Sequence, residues 1–134
     1  MLLDTDVLID VALDRQPYSE PASELLDRIE RGNKRAFIAW RTVSNFYYLV
    51  ASSSGGSSAR DFLVELTGFV SVAVTDTEAV RFAAALPMSD FEDALQIAAA
   101  QACGARHIVT RNVKDYMRSP IPAITPQEAL SELF

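Results

Sequence analysis

The sequence predicts an α/β domain built on a mostly parallel sheet with helices on both faces. Two observations predict it. Short, almost wholly apolar runs of strand length alternate with longer stretches whose apolar residues recur at helical spacing, and strands of that kind are buried on both faces. The 134 residues, 49% of them hydrophobic, suit one domain over 1–134 with its own core.

In chain order, residues 1–3 read as a buried strand ended by Asp4, and 7–13 as a short helix after it. Residues 17–31 carry Ala22, Leu25, Leu26 and Ile29 at helical spacing, with Gly32 as the stop. A strand at 35–39 and helices at 41–51 and 59–67 follow. The tract SSSGGSS at 52–58 reads as a mobile connection between those two helices. It contains no Lys after its glycines, so it is not a phosphate-cradling loop. Beyond it come a strand at 69–74, helices at 77–86 and 89–103 with Gly104 as stop, strands at 107–110 and 121–124, and a closing helix at 127–133.

Composition narrows the chemistry. One cysteine, Cys103, and one histidine, His107, make neither an internal disulfide nor a zinc site of nitrogen and sulfur ligands. Cys103 reads as core and His107 as a strand residue without a catalytic part. The chain has neither a basic leader nor an apolar run of membrane-spanning length, so the expectation is a soluble, cytoplasmic protein. A formal charge of −6 argues against gripping nucleic acid by bulk electrostatics. Acids gathered around a divalent ion escape that objection, because the ion reverses the local sign and attracts phosphate.

In a parallel α/β sheet, ligands bind at the carboxyl ends of the strands. Asp4 ends the first strand there. The turn after 107–110, with Arg111, Asn112, Lys114 and Asp115, emerges on the same edge. The helix entering that strand runs antiparallel to it and brings Asp90, Glu92 and Asp93 over the edge as well. Each acid also has an ordinary use. Ser89 with Glu92 forms a capping pattern, Asp4 suits an Asx turn, and Asp115 can pair with Lys114 or Arg111. Asp93 differs, since Ile97 and Ala100 one and two turns on are apolar and a carboxylate on that side of the helix needs a metal, a donor or a cation. Together these acids offer oxygen-only ligation, suited to Mg²⁺ or Mn²⁺, with Asp90 as supporting residue or further ligand. Arg111, Lys114 and Arg118 flank Asp115 and are placed to contact phosphates.

The strings LDTDVLID, SNFYYL, DFEDALQIAAA, IVTRNVKDY and IPAITPQEAL, in this order over nearly the whole chain, resemble the PIN-domain ribonucleases, which include the toxins of VapBC-type toxin–antitoxin pairs. The resemblance implies a three-layer α/β/α domain and RNA hydrolysis by a water activated by one or two Mg²⁺ or Mn²⁺ ions. Asp4 resembles the family's first metal-binding acid, Asp93 the helix-start acid, and Asp115 or Asn112 the late acid, with Thr110 directing a hydroxyl into the site. Asp6 stands where the family more often has Asn and is expected to order the loop. Asn45 stands where the family usually has an acid, and Asp90 is a candidate substitute for the missing charge. An antitoxin partner and a homodimer are further implications.

Two other readings compete. DTDVL also resembles the start of haloacid dehalogenase-like phosphatases, in which Asp4 would be the nucleophile, but in this chain the later acid pair precedes Thr110 rather than following it. The second is a PIN-like domain that binds RNA or protein without cutting, and Asn45 is the residue favouring it.

Overall fold

The computed structural model describes residues 1–32 and 34–134. Five strands, β1 (Leu2–Leu3), β2 (Phe37–Ile38), β3 (Ser71–Val72), β4 (Ile108–Val109) and β5 (Ala123–Ile124), pair in parallel in the order β3-β2-β1-β4-β5. The helices are α1 (Thr5–Ala12), α2 (Ser19–Arg31), α3 (Trp40–Ser54), α4 (Gly56–Leu66), α5 (Thr77–Ala85), α6 (Phe91–Ala102) and α7 (Pro126–Leu133), with a 3-10 turn at Val113–Tyr116.

Side chains alternate across each strand, and the two faces collect different partners. Leu3, Ile38 and Val109 pack with Leu8, Leu25, Phe46, Leu66 and Ala129 of α1, α2, α3, α4 and α7. Leu2, Ile108, Ala39 and Ala73 face the other way, onto Ile97, Ala99 and Ala100 of α6, with Phe82 of α5 alongside. The result is the expected three-layer arrangement. Small residues on α6, Ala94 and Ala98, bring it against Ala83 of α5.

The regular ladders are shorter than the sequence predicts. The regular part of each strand is two residues long, although bonds such as Asp4 N to Val109 O at 2.9 Å and Thr110 N to Ile124 O at 2.9 Å extend the contact by one residue. Residues 52–58 also differ from expectation. α3 continues to Ser54 and α4 begins at Gly56, leaving Gly55 alone between them at φ 90°. α6 starts after Asp90, whose Oδ1 accepts from the Glu92 and Asp93 amides, so Asp90 rather than Ser89 is the cap. The helix ends at Gly104 as predicted. Gly104 has φ 68°, and Ala105 N bonds back to Ala100 O, the Schellman pattern.

The chain passes from β1 to β2 on one side and later returns to β4 on the other. The β1/β4 boundary is therefore the topological switch, and its carboxyl end opens a crevice.

Candidate active site

Asp4 lies at that crevice, pinned by its amide's bond to Val109 O. Its Oδ1 accepts from Thr5 N at 2.8 Å and from Gln96 Nε2 at 2.8 Å. Its Oδ2 accepts from the Thr110 hydroxyl at 3.0 Å and the Tyr116 hydroxyl at 2.9 Å. Donors from α1, α6, β4 and the 3-10 turn thus meet on one carboxylate. Burial, followed by the charge of Asp4, drives the Tyr116 phenol far above its ordinary pKa, so it remains a proton donor.

Beneath Asp4 runs a buried polar network, in which Gln96 Oε1 alone is without a partner among the described residues. Gln96 is 1% exposed and also donates to Thr42 Oγ1 at 3.2 Å, while the Thr42 and Thr5 hydroxyls bond at 2.9 Å. Sequence reasoning missed Gln96, Thr42, Thr5 and Tyr116. The signal was present in part: Gln96 interrupts an apolar helical run, and Thr42 precedes Phe46 and Val50 on the buried face of α3.

Asp6 sits in the first turn of α1 and fastens the loop after β4. Its Oδ2 accepts from Thr110 Oγ1 at 3.1 Å, Arg111 N at 3.1 Å and Asn112 Nδ2 at 3.0 Å. Burial, and then the charge of Asp4, pushes Asp6 up to about 7. Asn112 is thereby occupied in holding the loop.

Asp93 projects from the first turn of α6 into a cleft of about 610 Å³ shared with Asp90, Asp115, Lys114, Met117 and Arg118. Burial raises its pKa to about 6, reinforced by the charges of Asp90, Asp4 and Asp115 and opposed by Arg41. The acids brought together from three segments are therefore close enough to repel one another. Arg41, at the start of α3, reaches Glu92 Oε2 at 3.5 Å. Asn45 is half-buried one turn beyond Arg41 and Thr42 on the same helix.

Arg111 is engaged away from the cleft. Its Nε lies 3.4 Å from Oδ2 of Asp10, which is 1% exposed, and its guanidinium sits 4.4 Å over the Tyr18 ring. That leaves Lys114 and Arg118, both exposed, as the cations of the cleft.

The donor set is chemically right for a hard divalent ion, since every candidate ligand is a carboxylate or amide oxygen and the acids destabilise each other when ionised. Among the described residues no three acidic, His or Cys side chains are drawn into a closed ligand group. Asp4 explains part of this openness, its oxygens being turned to protein donors.

Several solved structures share the fold. A toxin–antitoxin complex from Klebsiella pneumoniae superposes with a TM-score of 0.70 at 21% identity, covering 93% of this chain and 96% of that one. VapBC2 from Rickettsia felis, bound to a DNA fragment from its promoter, gives 0.68 at 16% identity, over 92% and 96%. VapC20 of Mycobacterium tuberculosis, a sarcin-ricin loop cleaving toxin, gives 0.64 at 13% identity, over 80% and 85%. Comparison with curated protein sequences gives no match. The family model described as PIN domain matches residues 1–114, most of the chain, with Asp4, Asp6, Asp90 and Asp93 inside the match and Asp115 just beyond it, and the chain belongs to the PIN domain family.

Proposed function

We propose that this chain is a divalent-metal-dependent endoribonuclease of PIN type and the toxin of a toxin–antitoxin pair, working in the cytoplasm. The observation that carries the reading is Asp93, half-buried and raised to about 6 by burial and by Asp90, Asp4 and Asp115 converging from three parts of the chain. Asp4, Asp93 and Asp115 would hold Mg²⁺ or Mn²⁺, with Asp90 as a further oxygen donor. A divalent ion bound there supplies Lewis acidity and a water of lowered pKa for attack on a phosphodiester. The chain's own residues do the rest: Gln96 and Thr110 orient Asp4, Asp6 fixes the loop leading to Asp115, and Lys114 and Arg118 meet the phosphate backbone.

RNA as substrate is supported by VapC20, and an antitoxin partner by the complexes from Klebsiella and Rickettsia. A homodimer remains part of the proposal through the resemblance of the sequence to the PIN-domain family. The test is cleavage of structured and single-stranded RNAs by purified protein with Mn²⁺ or Mg²⁺, beside EDTA and Asp93→Asn. EDTA should abolish cutting. Asp93→Asn should lower it by more than about 100-fold, the upper range for losing even an outer-shell partner of a metal site. Asn45, in place of an acid, favours a second reading in which the domain binds RNA without cutting. Retention of RNA by folded, partner-free protein, with no product under either metal, would establish that one instead.

A further inference from the structure

An ionised carboxylate offers about four acceptor positions, and those of Asp4 are all taken by protein donors: Thr5 N and Gln96 Nε2 on Oδ1, Thr110 Oγ1 and Tyr116 Oη on Oδ2. A cation that shares Asp4 must therefore displace one of them. Thr5 N is backbone in the first turn of α1. Gln96 is held at a second point by Thr42, and Thr110 is tied to Asp6 and accepts from Asn112 N at 3.1 Å. The Tyr116 hydroxyl has Asp4 as its one hydrogen-bond partner among the described residues, and it belongs to the same short turn as Asp115 on the wall of the cleft.

We infer that the Tyr116 hydroxyl is a built-in competitor of the divalent ion for Asp4 Oδ2, so that Tyr116 sets the ion concentration at which the site fills. The inference rests on the metal-site reading above and adds a residue that tunes it. In physical terms, a hydrogen bond to a charged group must be given up for each ion bound, which weakens binding relative to a site without it. Deleting the hydroxyl leaves Asp4 with three donors and one open position. The ring itself stays in the core beside Ile97 and Ile108.

The experiment is titration calorimetry of the full chain, stripped with EDTA, against MnCl₂ and MgCl₂, comparing the parent with Tyr116→Phe. The variant is expected to bind about tenfold more tightly. Unchanged or weaker binding by a variant with native circular dichroism overturns the inference. A second measurement needs no substitution at Tyr116: in ¹³C-tyrosine-labelled parent protein, the Tyr116 Cζ resonance, assigned by through-bond correlation, should move in step with Mg²⁺ occupancy and stop responding in Asp4→Asn. A resonance that stays fixed while Mg²⁺ binds overturns it. Tighter binding by Tyr116→Phe in a protein that cuts no RNA supports the competitor and removes only the nuclease reading. Cleavage with unchanged affinity in the variant does the reverse.

Discussion

Asp4 and Asp6 share the single proton of the Thr110 hydroxyl, so two carboxylates face each other with one donor between them. Burial, and then the charge of Asp4, raises Asp6 from 3.8 to about 7 against the opposing pull of the Thr110 hydroxyl, while burial, and then Asp90, raises Asp93 from 3.8 to about 6. In the unfolded chain both return to ordinary values, so between about pH 4 and 7 the folded state holds more protons than the unfolded one. Stability contributed by these groups is then present at low pH and lost as pH rises through that window. Urea unfolding in EDTA should give a more stable protein at pH 5 than at pH 7.5, and Asp6→Asn should flatten the difference by removing one of the two titrations. A parent chain that gains stability from pH 5 to 7.5 would sink this account.

Gly55 shows at the level of elements what a junction demands. It separates α3 from α4 with φ 90° and ψ 152°, a region close to glycine-only backbone, and a Cβ there would meet nothing within 4 Å. Gly55→Ala should therefore destabilise by about 1–3 kcal/mol through backbone strain alone, measured by urea unfolding against a neutral Ser53→Ala control. The surrounding tract was misread because serine and glycine composition speaks of flexibility. Ala51, Ala59 and Phe62, packed on the core around Phe46 and Val50, decide instead that the helices run through it. Elsewhere apolar spacing located every helix and strand, since burial on two faces leaves a strong pattern. Strand ends and caps were less legible, because Asp90 takes the α6 cap from Ser89 by a difference of one residue in backbone direction. Of the site, the three converging acid clusters could be read from topology. The network of Gln96, Thr42 and Tyr116 could not, because a buried polar residue reveals its use only when its partner from a distant segment is in place.

At the scale of the whole molecule, the formal charge of −6 and the repulsion around Asp93 are both costs that a bound cation would offset. An ion that binds the folded chain alone stabilises it by about 2.7 kcal/mol at 100 times its dissociation constant, which for a domain of this size is a rise in Tm of about 8 °C. The rise should appear with Mn²⁺ at pH 7.5, vanish with EDTA, and shrink at pH 5 where the acids hold protons. Scanning fluorimetry measures it directly. Helices α2 and α7, packed against each other far along the chain, close the layer opposite α6, and the Thr125–Glu128 capping box sets where α7 begins.

Because Leu2 pairs with Ile108 and Leu3 with Val109, the first strand finds its central neighbour only after more than a hundred further residues have been made. Asp4 cannot meet Thr110, 106 positions on, in any shorter stretch. Whatever chemistry the crevice performs, a chain still emerging from the ribosome lacks it until the fourth strand is free to dock.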